Sequence, residues 1–257
     1  MCDVIFTSFI ICISLTFTFF YSSSLDNAYI FIIIIFYFFS FLENGGSILL
    51  QDNVDVYLSD IEIYNSRATG NGGGITIRRF NKNIQLFNIH MDSCRADFNG
   101  KGGGLSIEND NNDIIISNIT IINSRAFVGA GIYINNHNFN VNLTNVNIRK
   151  CSARLNGGGI AISNKNQHTV FNNVKIIYCY ATYDGGGILL SENKKTMINN
   201  AFISNCRVRT ILDPSCSGGI SISNDQDLIL KNSIIAYCHS TDGGGKNTCY
   251  DIYIDKH

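Results

Sequence analysis

A run of glycines followed by alternating aliphatic residues returns about every 28 positions along this chain of 257 residues, and it limits the fold more than any other feature. It reads Gly72-Gly73-Gly74-Ile75, Gly102-Gly103-Gly104-Leu105, Gly157-Gly158-Gly159-Ile160 and Gly185-Gly186-Gly187-Ile188. Weaker copies stand at Gly45-Gly46-Ser47-Ile48, Gly129-Ala130-Gly131-Ile132 and Ser217-Gly218-Gly219-Ile220. A unit of this length cannot bury its own apolar face and must stack on its neighbours.

The aliphatic after each glycine run (positions 48, 75, 105, 132, 160, 188 and 220) and the residue two beyond it are Ile or Leu in every copy. The residue between them varies: Leu49, Thr76, Ser106, Tyr133, Ala161, Leu189, Ser221. That is period-two patterning, predicting a strand with its flanking aliphatics inward and the middle residue outward. Twelve or thirteen residues after the anchor comes a second column: Asp60, Asn88, Asn118, Asn145, Asn173, Asn200, Asn232. Apolar residues stand two before it and three after it. Six after it stands a small residue: Ser66, Cys94, Ser124, Cys151, Cys179, Cys206 or Cys238. The six-residue spacing never varies, so one rigid segment with a bend at the Asn is being repeated.

These columns predict an all-β parallel β-helix, or β-solenoid, of about seven coils over residues 44–242, each coil giving three short strands. Residues 243–257 start an incomplete last coil or form a tail. The Asn column is expected to face inward as an amide ladder, each carbonyl accepting from the amide above. The glycines supply positive φ or close backbone approach at another corner. A leucine-rich horseshoe shares the period, but its motif has no glycine triplet and no segment here has helical spacing. A calcium-binding nonapeptide roll needs a much shorter repeat with Asp after the glycines.

The glycine triplets and the Asn column, over roughly residues 45–242, resemble the Gly-Gly-aliphatic and Phe-x-x-Asn repeats of chlamydial polymorphic outer-membrane proteins and their protist relatives. More broadly the chain resembles the right-handed, pectin-lyase-like β-helix superfamily. The third glycine is usually kept where the bacterial repeat has Ala, and Leu or Ile mostly replaces Phe. The resemblance implies a right-handed helix and a surface-exposed or secreted adhesive solenoid. Secretion through an autotransporter barrel is not expected from residues 243–257.

The amino terminus differs in kind. Val4 to Tyr21 is almost wholly apolar, Ser22-Ser23-Ser24-Leu25-Asp26-Asn27 intervenes, and Ala28 to Leu42 is apolar again. The first run is about long enough to cross a bilayer and the second is short for that. Residues 1–43 therefore read as a signal peptide, one or two membrane anchors such as a transmembrane helix, or translated AT-rich sequence ahead of the true start. No Lys or Arg precedes Arg67, so charge gives no orientation. The expected location is membrane-associated or extracellular.

Of nine cysteines, five share a column with Ser66 and Ser124, which predicts small buried free thiols. Cys216 and Cys249 lie outside it and are the better bridge candidates if the chain is secreted. No Cys or His spacing suits zinc, and no metal or cofactor is expected. Of two sequons, Asn118-Ile119-Thr120 falls on the presumed inward ladder and Asn142-Leu143-Thr144 on an outward face.

Net charge is −1, so no electrostatic case for nucleic acid arises. Many β-helix enzymes place carboxylates from adjacent coils together. Here the outward column of the first strand has none, and the residues two after each ladder Asn (Glu62, His90, Thr120, Asn147, Lys175, Phe202, Ile234) make no carboxylate pair between neighbouring coils. One irregularity, around Arg209, Asp213, Pro214 and Cys216, adds about five residues before the next glycines and is the candidate recognition loop. The expected function is a non-enzymatic surface or secreted scaffold or adhesion module, with carbohydrate or a cell-surface protein as partner. A carbohydrate-active β-helix enzyme, or an inactive relative, is the alternative.

Overall fold

The computed structural model describes residues 19–24, 27–37, 44–209, 217–240 and 250–255, all of them strand, turn or irregular backbone with no helix. Each coil begins with a four-residue strand after the glycines, such as Ile75–Arg78, followed by an eleven-residue strand, Lys82–Asp92, and a dipeptide strand, Arg95–Ala96. Each pairs in parallel with its equivalents in the coils before and after, giving three sheets whose strands follow chain order. Register is strict. Ile75, Leu105, Ile132, Ile160, Ile188 and Ile220 are successive partners, as are Leu86, Ile116, Leu143, Phe171 and Ile198. The chain is a parallel β-solenoid.

Three left-handed residues, five positions apart, shape the long segment of every coil. In one coil they are Asn83, Asn88 and Ser93, at φ of 53°, 52° and 58°. In the next they are Asp113, Asn118 and Asn123, and two coils later His168, Asn173 and Tyr178. Asn and Asp tolerate this region best among residues with a side chain, because their short polar groups bond locally. Each such residue breaks the in-out alternation, so two successive side chains face outward before the inward set resumes. In the third coil Ile107, Ile114, Ile116, Ile119 and Ile121 are fully buried, while Asn118 is exposed. Each such aliphatic contributes about 1.5–3 kcal/mol of burial.

That phase shift overturns the inward direction expected for the Asn column. Asp60, Asn88, Asn118, Asn145, Asn173, Asn200 and Asn232 all face solvent. Stacking itself holds along part of the column: the amides of Asn88, Asn118, Asn145 and Asn173 each donate to the side-chain oxygen of the preceding member, at 3.0, 3.0, 2.9 and 2.6 Å. Asn232 instead donates to Asn199 Oδ1 at 3.0 Å. Asn118 is consequently exposed, against expectation, with Thr120 of its sequon half-buried and Ile119 buried.

The inward amide ladder is a different column: Asn53, Asn81, Asn111, Asn138, Asn166 and Asn193, one per coil between the short and long strands. Asn138 is typical. Its Oδ1 accepts from the backbone N–H and Nδ2 of Asn111 at 3.1 and 2.8 Å. Its own N–H and Nδ2 donate to Asn166 Oδ1 at 3.1 and 2.9 Å, and Nδ2 also donates to the Asn135 carbonyl at 2.8 Å. The turn's polar atoms are thus satisfied inside the core, where an unpaired one would be costly. The file ends on Asp225, whose Oδ1 accepts from Asn193 N–H and Nδ2 at 2.7 and 3.0 Å.

A second expectation also fails. Thr76, Ser106, Tyr133, Ala161 and Ser221, placed outward by alternation, are buried. The preceding corner folds over them: Thr76 Oγ1 donates to the Asn71 carbonyl at 2.9 Å, and Lys101 Nζ donates to the Tyr133 hydroxyl at 3.1 Å. The glycine run makes that corner possible. Gly72 sits at φ 63°, and a Cβ on Gly73 would lie 2.3 Å from the Gly103 carbonyl oxygen.

Of the apolar amino-terminal stretch, Asn27–Tyr37 pairs in parallel with Val54–Tyr64, and Phe19–Ser24 pairs antiparallel with Asn27–Tyr37. Among the described residues no helix is long and apolar enough to cross a membrane. Residues 1–18 and 38–43 lie outside the described set. At the other end Tyr250–Asp255 pairs in parallel with Ser217–Ser223.

Candidate functional site

Two exterior surfaces gather polar chemistry. The first runs along the sheet of dipeptide strands. These strands place one residue inward (Ala68, Ala96, Ala126, Ala153, Ala181, Val208) and the one before it outward. The outward file reads Arg67, Arg95, Arg125, Ser152, Tyr180, Arg207, His239, each in register with the next. Between coils a cavity of about 300 Å³ opens there, and Arg95, Arg125, Lys150 and Arg154 line it. Asp97 is the one carboxylate in that lining, which leaves a net charge of plus three.

Asp97 is already engaged. It is almost fully buried, pairs with Arg95 Nε at 2.5 Å and also with Arg67 Nε. Asp92, at the cavity's margin, accepts from Ser93 Oγ at 2.8 Å and Asn123 Nδ2 at 3.0 Å. Lys150 occupies the left-handed position of its bend, φ 53°, and is exposed. Arg154 is fixed through its backbone N–H to the Ala126 carbonyl at 3.0 Å. Phe98, 76% exposed at φ 51°, lines the cavity with the cations, and Tyr178, 53% exposed at φ 57°, holds the bend position of the coil after Lys150. The sequence reading missed this surface. Its signal was the Arg or Ser one residue after the Cys/Ser column, legible once that column is known to close a strand.

The second surface is the groove outside the bend of the long strands, about 460 Å³, lined by Asp60, Glu62, Asn88, His90, Asn118 and Thr120. Glu62, His90 and Thr120 are register partners. Glu62 accepts from the Tyr64 hydroxyl at 3.1 Å. Hydrogen bonds from Ser59 and then Asn88 lower the Asp60 pKa, so at neutral pH it is a carboxylate, suited to accept a hydrogen bond and not to deliver a proton.

The five column cysteines, Cys94, Cys151, Cys179, Cys206 and Cys238, are buried free thiols, as expected. Burial pushes Cys94 up to about 12, and raises Cys179 well above the usual thiol range. Such groups stay protonated and poorly nucleophilic. Among the described residues no cluster of His, Cys, Asp or Glu is placed to hold a metal ion. Of the candidate loop, Arg209 is exposed, with its N–H on the Ala181 carbonyl at 3.1 Å; Asp213, Pro214 and Cys216, like Cys249, lie outside the described residues. The geometry defines the class, a parallel β-solenoid with ladder-bearing exterior faces. Comparison with protein-family models, curated proteins and solved structures gives no match.

Proposed function

We propose that the chain is a non-enzymatic binding scaffold, displayed at a membrane or cell surface or secreted, whose rigid stack presents a repeating exterior to a partner. The observation that carries this reading is the continuity of exterior files from coil to coil: the hydrogen-bonded side chains from the Asp60 carboxylate to the Asn173 amide, and the arginines from Arg67 to Arg125. A rigid core with a repeated outer surface suits extended, multi-point contact. The apolar run from Val4 to Tyr21 supports delivery to a membrane or export.

The groove at Asp60, Glu62 and His90 favours a second reading, a polysaccharide-cleaving enzyme or its inactive relative. Incubation of the full chain with acidic polysaccharides, with and without calcium, separates the two. The scaffold reading expects retention of polymer with no shortening. Sustained product release that disappears in Asp60→Asn would establish the enzyme instead.

A further inference from the structure

We infer that the arginine corner is a binding site for a sulfate or phosphate ester carried on a linear glycan. The inference deepens the scaffold reading and rests on it. The whole chain carries −1, yet the lining of this one cavity carries plus three. Asp97 is committed to Arg67 and Arg95, and among the described residues no carboxylate pairs with Arg125, Lys150 or Arg154. Those three cations come from two successive coils. Parallel pairing of Arg125 with Arg95 and Ser152 holds the first, and the Ala126 carbonyl holds the backbone of the third. The backbones that carry these cations are therefore in place before any ligand arrives, with their side chains exposed to it.

Charge and shape choose the ligand. A guanidinium fork matches an oxyanion through paired N–H donors, and an ammonium adds a point charge. A lone carboxylate brings one negative charge to three cations. A phosphate monoester brings about −1.5 to −2, and a polysulfated chain brings several charges along its length. The aromatic flanks point to a glycan carrier. Tyr180 continues the arginine file in register between Ser152 and Arg207, and Phe98 and Tyr178 offer flat apolar faces beside it. Tyr178 takes the left-handed bend position that every coil has, and Phe98 is left-handed two residues before Gly100; both side chains are exposed. A single-stranded nucleic acid would also use stacking and cations, but it needs a basic track along its backbone. Here the arginine run stops at Ser152 and Tyr180 and returns only at Arg207, so the cations form one patch that a few ester groups on a glycan match.

The test measures binding of the full chain to heparin, to the same polymer with its sulfates removed, to a phosphorylated mannan and to oligo-dT of matched charge. The site predicts binding to heparin or to the mannan, whichever ester is preferred, weakening as salt rises. Arg125→Ala and Arg154→Ala are each expected to weaken it about tenfold, one good charge-assisted pair's worth, with circular dichroism and melting unchanged. Lys175→Ala, on another sheet, is expected to bind as the parent does. Binding of the desulfated polymer as tight as that of the preferred ester, tighter binding to oligo-dT, or unaffected arginine variants would overturn the site. Shortening of the retained polymer would count against the scaffold reading alone. Absence of binding to all four polymers would remove the glycan site and leave the scaffold reading standing.

Discussion

Two asparagine files run along this molecule and do different work. The buried file satisfies turn backbone in an apolar interior, so Asn138→Ala strands the Asn111 N–H beside a small void and takes one of the Nδ2 bonds, leaving that on the Glu108 carbonyl at 2.8 Å. Urea unfolding should show a loss of about 2–4 kcal/mol. Asn145→Ala, in the exposed file, loses a solvated amide contact and the left-handed preference of Asn, for about 1 kcal/mol. Asp225, the buried file's terminal member, titrates in a useful way. Burial raises its pKa above 3.8 in the folded chain. The fold therefore keeps a proton that the unfolded chain has released, and this group's contribution is full below about pH 4 and declines as pH rises through the raised pKa. Asp225→Asn should raise the urea midpoint at pH 7, with the gain shrinking toward pH 4; a lower midpoint at pH 7 would contradict the assignment. The buried file was present in the sequence at every coil, five or six residues after the anchor, from Asn53 to Asn193. Its variable spacing hid it, whereas the invariant six-residue interval from Asn88 to Cys94 drew attention to the outer file.

At the scale of the coil, strand periodicity was legible and its phase was not. Alternation carries Leu86 inward and would carry Asn88 inward too, but a left-handed residue there resets the count, so Ile89 faces the core. Nothing in a period-two pattern announces that reset. The same limit applies to Thr76 and Ser106, which alternation sends to solvent and the folded-back corner covers. The corner itself depends on absent side chains. Gly73 lies against the Arg95 backbone, where a Cβ would sit 2.4 Å from Arg95 C. Both neighbours are main chain, but the same place two coils later holds the buried Ala130, so a methyl is accommodated by small shifts and Gly73→Ala should cost about 1 kcal/mol, at the lower end for overpacking. A thermal melt indistinguishable from the parent's would show that the corner can open. Because Arg95 lies on that same backbone, the variant should also disturb the arginine file, which ties the corner to the proposed site.

At the scale of the molecule, the repeat made the solenoid legible because each coil repeats the same physical problem. Seven glycine-anchored copies in the sequence appear as seven short strands in one sheet, from Ile48–Gln51 to Ser217–Ser223. The exterior was harder to read, since ligand chemistry there arises from side chains of different coils meeting in space, as Arg125 and Arg154 do at the cavity. Register is the claim that carries both core and exterior. It is tested most directly by electron–electron distances between nitroxide labels on the exposed file that includes Glu62, Lys175 and Phe202, in a chain whose cysteines outside the buried column are Ser. The account predicts that the separation from position 62 grows by one strand spacing per coil, from roughly 19 Å at position 175 to roughly 24 Å at position 202, at about 4.8 Å a step. Separations that fail to increase between those two sites, or that lie far from multiples of that step, would contradict it.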